Sequence, residues 1–184
     1  MTEAPQAPQA PARGWDEYAP LYDEHHERLY RVALLLCHGQ QAAAEDAVAE
    51  TFVKVYGIWS RSDTEIEHFF AYARRALVSH VIGQHRRRKV ADSYLARQPD
   101  AGAGAGEADP GERVPNTAAA FDLLGRLPPR QRTALVLRYY EDLSYEQIAQ
   151  AMDVSVGTVK AQISMGLRRM REVSTDDGAG VGHG

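Results

Sequence analysis

Residues 143–171 read LSYEQIAQAMDVSVGTVKAQISMGLRRMR, and this stretch decides the fold. Ser144 and Gln147 have the spacing of a reciprocal capping pair at a helix start. Ile148, Ala149 and Met152 then give one apolar face. Asp153-Val154 breaks the period, and Ser155 restarts it as a second N-cap. Val159, Ile163, Leu167 and Met170 recur at helical spacing and are predicted to point inward. Thr158, Ala161, Met165 and Arg168 fall on the opposite face, flanked by Lys160, Gln162 and Ser164, with Ser155 and Val156 at the helix start. Two capped helices, a tight turn and a basic second helix predict a helix-turn-helix rather than an ordinary helical hairpin. That motif lays its second helix in the DNA major groove, where small and polar side chains approach base edges.

The chain of 184 residues is 44% apolar, room for one large unit or two small ones. No apolar run approaches the ~18 residues a membrane span needs. The opening MTEAPQAPQAPARG has no apolar core, so it does not read as a secretory signal, and residues 1–13 are expected to be disordered. The single cysteine, Cys37, excludes an internal disulfide and fits the cytoplasm. Within VALLLC it reads as an inert packed thiol. The net charge of −4 is unusual for a protein that binds DNA alone. Yet Arg74, Arg75, Arg86, Arg87, Arg88 and Lys89 stand together without an acid, and residues 121–172 hold eight basic against six acidic side chains. Affinity for free duplex scales with the phosphates neutralised. Local basic patches on an acidic background therefore predict DNA binding inside a larger assembly.

No strand pattern or internal repeat is evident, which predicts an all-α chain of two small helical domains. Trp15–Cys37 carries Tyr18, Leu21, Tyr22, His25, Leu29, Val32 and Leu36 on one stripe, and Gly39 would end that helix. Gln41–Trp59 places Ala44, Val48, Phe52, Val55 and Trp59 inward, with Glu45 and Asp46 suited to its positive end. SRSDTE is a loop, with Thr64 and Glu67 as a capping box for a third helix over about 66–90. Residues 97–116 are Gly-, Ala-, Pro- and acid-rich and read as a flexible linker. Thr117 is the expected cap of a helix reaching Leu127, and Pro129 suits the first turn of the next. The boundaries expected are 14–96 and 117–173, with 174–184 a disordered tail.

At this point the residues resemble a known family, the bacterial RNA polymerase sigma factors of the extracytoplasmic-function (ECF) type, in the form common among actinobacteria. The likeness rests on Leu127-Pro128-Pro129-Arg130-Gln131-Arg132, Leu137-Arg138-Tyr139-Tyr140, Leu143-Ser144-Tyr145, Ile148-Ala149 and Val156-Gly157-Thr158-Val159-Lys160. In the N-terminal half it rests on Ala44-Glu45-Asp46-Ala47-Val48, Glu50-Thr51-Phe52 and the run AYARRALVSHVIGQHRRRK from Ala71. The resemblance implies a promoter-specificity subunit with no catalysis and no cofactor. Its implied partners are promoter DNA and core RNA polymerase, through the β′ clamp helices and the β flap, with an anti-sigma protein as an additional partner. Asp46, Glu50, Thr51, Phe52 and Lys54 resemble the clamp-docking surface. Ser60, Arg61 and Asp63 lie in the part that resembles the base-capturing loop. Tyr72, Arg74, Arg75, Ser79, Arg86, Arg87 and Arg88 resemble the minus-ten element, where strand opening costs a few kcal/mol per base unstacked. Trp59 and Phe69 are expected in the core. Ser155, Val156, Thr158, Lys160, Ala161, Gln162, Ser164, Met165 and Arg168 resemble the minus-thirty-five reader.

Two departures stand out. Ser79 replaces a common Asn, exchanging an amide donor and acceptor for one hydroxyl. Met165 replaces a common Arg and cannot make the bidentate pair with guanine; a thymine methyl suits it instead. A stand-alone helix-turn-helix regulator is the competing reading, but the N-terminal half lacks the alternating strands and helices of a receiver domain. An enzyme is disfavoured: His25-His26, Cys37-His38, His68, His80 and His85 form no CxxC, HExxH or HxH pattern, and AGAGAG neither follows a strand nor opens a helix.

Overall fold

The computed structural model describes residues 13–61, 66–95 and 115–179, with side chains at 13–61, 66–87 and 118–173. The described residues form seven helices. In the N-terminal unit these are α1 (Trp15–Leu36), α2 (Gln41–Trp59) and α3 (Phe69–Leu95). The C-terminal unit holds α4 (Pro115–Gly125), α5 (Pro129–Tyr139), α6 (Tyr145–Met152) and α7 (Val156–Ala179).

The predicted apolar stripes become the core of the N-terminal unit. Tyr18, Leu29, Val32 and Leu36 of α1 meet Ala44, Val48, Phe52, Val55 and Trp59 of α2, all buried. Leu21, Tyr22 and His25 are half-buried at its edge. Tyr18 is the hub. Its ring centroid lies 5.0 Å from that of Tyr56, 5.3 Å from Trp59 and 5.6 Å from Phe69. Its hydroxyl donates to the Phe52 carbonyl at 2.9 Å, and burial pushes its pKa well up. These aromatic contacts offset Pro20, which lies inside α1 and withholds one helix hydrogen bond. The helix ends as Gly39 suggested. The Gly39 amide donates to Leu34 O at 2.8 Å and that of His38 to Leu35 O at 3.1 Å, with His38 (φ 45°) and Gly39 (φ 84°) both left-handed.

Several boundaries differ from the sequence reading. α3 opens at Phe69 rather than near Ile66, at the residue whose ring reaches Tyr18 and is buried. Thr64 lies outside the described residues. The same helix runs past Val90 to Leu95, because nothing from Arg86 to Leu95 is a Gly or Pro that would stop it. α4 opens at Pro115, so Thr117 lies inside the helix and not at its cap. α7 reaches Ala179, into the segment read as a disordered tail. The segments 1–12 and 96–114, and with them the path of the linker, lie outside the described residues.

The C-terminal unit sits directly on the N-terminal one, with α6 against α3 and α5 against α1. Arg132 is the buried joint. Only 5% exposed, it donates from Nη1 to the Leu36 carbonyl at 2.7 Å and from Nη2 to the Leu127 carbonyl at 3.1 Å. Leu36 closes α1, where carbonyls lack helical partners and the dipole is negative, so a cation suits the place. Phe121 of α4 presses on Gly39, where an added Cβ would lie 2.7 Å from its ring.

Candidate nucleic-acid and polymerase interfaces

The helix-turn-helix is built as its sequence predicts. The Gln147 amide donates to Ser144 Oγ at 3.2 Å, and the Ser144 amide donates to Gln147 Oε1 at 2.9 Å. α6 ends on Asp153, left-handed at φ 54°, and the Val154 amide returns to Ala149 O at 3.0 Å. Ser155 then caps α7, its Oγ accepting from the Thr158 amide at 3.1 Å and pairing with Thr158 Oγ1 at 2.9 Å. Val159 and Ile163 are buried, while Leu167 and Met170 are half-buried. Between them Gly166 lets α7 approach α5, for a Cβ there would stand 2.8 Å from Leu135 Cδ1.

The outward face of α7 is open. Ser155, Lys160, Ala161, Ser164, Met165 and Arg168 are exposed, and Val156, Thr158 and Gln162 are half-buried. Among the described residues Arg168 is ion-paired with Glu172 at 3.8 Å, an exposed pair that holds little. Beside the turn, Tyr145 lies under two cations, Arg138 and Lys160, each 5.5 Å from its ring centroid. Both cations are thereby held along one edge of the motif.

The N-terminal candidates divide. On α2, Asp46, Glu50 and Lys54 are exposed, but Thr51 and Phe52 are not. Phe52 is 4% exposed among the core aromatics, and the Thr51 hydroxyl donates to Ala47 O at 2.7 Å. Neither can touch a partner protein; they shape the helix from beneath. Sequence reading missed Val53, 71% exposed between Glu50 and Lys54. Its absence from the inward stripe was the available signal. On α3, Ser79, Arg75, Arg86 and Arg87 are exposed and Tyr72 is half-buried, as is Ser60 before the loop; Arg61 is exposed. Asp63 and the Arg88 side chain lie outside the described residues.

Arg74 departs most from expectation. It is 8% exposed, and its Nη1 donates to Glu141 Oε2 at 2.8 Å, so the closed chain does not offer it as a phosphate contact. Arg28, which sequence reading did not single out, donates to the same oxygen at 3.1 Å. Two clefts of about 520 and 410 Å³ separate α3 from the helix-turn-helix unit. Arg75, Ser79 and Arg86 line the first, opposite Arg130 and Asp153; Tyr72 and Arg75 line the second, opposite Gln147 and Gln150. A third, apolar groove lies between α5 and α7, lined by Leu135, Val136, Tyr139, Tyr140, Leu167 and Met170, with Leu35 of α1 and Leu124 of α4 also lining it. Among the described residues no group of His, Cys, Asp and Glu is placed to hold a metal. No described helix is long and apolar enough to cross a membrane.

Residues 21–90 match the family description Sigma-70 region 2, and residues 118–170 match Sigma-70, region 4. Over 130 residues the chain is 33% identical to the RNA polymerase sigma-E factor of Streptomyces avermitilis, covering 70% of this chain and 69% of that protein. Over 168 residues it is 32% identical to the ECF RNA polymerase sigma factor SigE of Mycolicibacterium smegmatis, covering 89% and 63%. The chain belongs to the ECF sigma factors. As such it is no enzyme; it directs RNA polymerase in transcription initiation, with α6 and α7 as its DNA-binding helix-turn-helix. The fold of this sigma factor is shared by RpoE of Bartonella quintana, solved with the anti-sigma factor NepR. That likeness has a TM-score of 0.64 at 20% identity and covers 87% of this chain and 98% of that one. CnrH, solved with the cytosolic domain of CnrY, gives 0.56 at 20% identity, covering 89% and 91%.

Proposed function

We propose a division of labour between the two units. The outward face of α2, with Asp46, Glu50 and Lys54 around Val53, docks on the β′ clamp helices of core polymerase. The apolar groove between α5 and α7 suits the β flap, and an anti-sigma protein is a third candidate partner, as NepR is for RpoE of Bartonella quintana. Once docked, α3 opens the minus-ten element through Tyr72, Arg75, Ser79, Arg86, Arg87 and Arg88, with Ser60, Arg61 and Asp63 at the captured base. α7 reads the minus-thirty-five duplex. There Thr158, Gln162 and Ser164 offer hydrogen bonds, Ala161 and Met165 suit thymine methyl groups, and Lys160 and Arg168 grip phosphates.

The observation that carries this reading is the charge distribution. A chain of net charge −4 with separate basic patches neutralises few phosphates by itself. Polymerase supplies the remaining affinity and presents both promoter elements together, wherever in the cell polymerase works.

Charge reversal of Asp46 and Glu50 to Lys is expected to abolish co-purification with core polymerase while helicity by circular dichroism is unchanged. Arg168→Ala is expected to do the opposite, lowering run-off transcription severalfold with polymerase association intact. Retained co-purification of the first variant would refute the docking face. Undiminished transcription by the second would remove Arg168 from the reader.

A further inference from the structure

We propose that Glu141 is an internal substitute for a promoter phosphate. Its carboxylate fills an anion seat built by Arg28 and Arg74 against Phe70, and so holds the helix-turn-helix unit over α3 until nucleic acid displaces it. This rests on the reading that α3 meets the promoter.

The seat is a built one. Arg28 comes from α1 and Arg74 from α3, and both guanidinium groups share the Phe70 ring, 3.9 and 5.4 Å from its centroid. The Glu141 side chain, only 3% exposed, enters from the other unit, beyond the end of α5, and one oxygen accepts from both arginines. Arg74 Nε is buried and has no acceptor among the described residues. Two cations, one of them nine-tenths buried, therefore meet a single carboxylate oxygen and keep a donor to spare. A phosphodiester presents more acceptor oxygens, and guanidinium groups match it in charge and in planar geometry.

The position gives the exchange a consequence. Neighbouring Arg75 points to Asp153 at 3.7 Å, so a second acid of the same unit stands before the next cation of α3. Tyr72, Arg75, Ser79 and Arg86 all face the clefts beneath α6. While Glu141 is seated, duplex or single strand cannot lie along this face of α3 without lifting the helix-turn-helix unit. The carboxylate and the DNA backbone therefore compete for one pair of cations, and closure is linked reciprocally to nucleic-acid binding.

The test uses the full chain with Cys37→Ser and spin labels at Gly57→Cys and Ala120→Cys, one position in each unit. An added Cβ at Gly57 meets nothing within 4 Å, and Ala120 is exposed. Glu141→Ala is expected to shift the label distances from one short population to a longer, broader one, with circular dichroism unchanged. It is also expected to tighten binding of a short single-stranded oligonucleotide, in the absence of polymerase, by about tenfold. Adding Arg28→Gln should cancel that gain. If Glu141→Ala fails to fold, Arg28→Gln alone loosens the seat from its exposed side and is expected to lengthen the same distances. Unchanged distances in the folded variants overturn the proposal. So do longer distances with unchanged oligonucleotide affinity, because the seat would then be a joint and no phosphate site. Neither result touches the docking and transcription assays, which decide the proposed function separately.

Discussion

Arg132 shows how much one side chain can settle. Its two hydrogen bonds tie the last carbonyl-bearing turn of α1 to the start of α5. Arg132→Ala would leave both carbonyls buried without a donor, at about 1–3 kcal/mol each. A loss of at least 2 kcal/mol, roughly, in urea-unfolding free energy is expected, with Arg132→Lys recovering only part, because one ammonium group cannot reproduce a planar fork. The residue was legible as part of LPPRQR but its burial was not, since arginine is rarely enclosed and no periodicity marks it. The same limit explains Arg74. The family resemblance placed Arg74 on DNA as part of a basic run, and only the tertiary arrangement brings Glu141 to it. For Thr51 and Phe52 the motif outweighed the stripe, although Phe52 already lay on the inward face of α2.

Among the elements, α7 depends on a position that its apolar stripe does not reveal. Gly166 normally weakens a helix by about 0.5–1 kcal/mol relative to alanine, so Gly166→Ala would stabilise an isolated α7. In the folded chain the new methyl group would meet Leu135 Cδ1 at 2.8 Å and Cγ at 3.3 Å. Leu135 is buried. Because its Cγ and the Gln131 Cβ, 3.4 Å away, are also close, turning its tip alone does not clear the methyl group. The side chain has to swing out toward the groove it lines. Overpacking of this kind costs about 1–3 kcal/mol, which exceeds the helical gain. Thermal denaturation is expected to show a lower Tm for Gly166→Ala, and run-off transcription should fall as the reader tilts away from α5. Caps and stripes were legible because they are local: Ser144, Gln147 and Ser155 need only their neighbours. The start of α3 was not, for Phe69 is fixed by a ring on α1, and its run past Val90 rests on the mere lack of a breaker.

For the molecule as a whole, the junction between units carries a pH dependence. Burial, then the charge of Arg132, lowers the pKa of His38, with His85 adding to the effect and Asp122 opposing it. Burial also lowers that of His80, against Glu50 and together with Arg87 and Lys54. Both imidazoles are thus favoured neutral in the folded chain, so the unfolded chain binds protons first as pH falls. Stability is complete above the ordinary imidazole pKa of about 6.5 and declines below it until the folded pKa values are passed. Urea midpoints are expected to drop between pH 7.5 and 5.5, roughly the range in which imidazole titrates. His38→Asn, which keeps a residue tolerant of the left-handed turn, combined with His80→Gln should flatten the profile. The two-unit helical architecture was legible from stripes, turn residues and the linker composition. How the units meet was not, because that depends on single side chains reaching across, and neither Arg28 nor Glu141 carries a mark in its own neighbourhood.

The pairing of Arg74 with Glu141 has a consequence for anyone scoring variants by promoter output. On the proposed reading, deleting this guanidinium unfastens the protein and, in the same stroke, strips a positive charge from α3, the helix proposed to open the promoter. The gains of readiness and the losses of grip pull transcription in opposite directions, so a silent phenotype at this codon can conceal two large, cancelling effects.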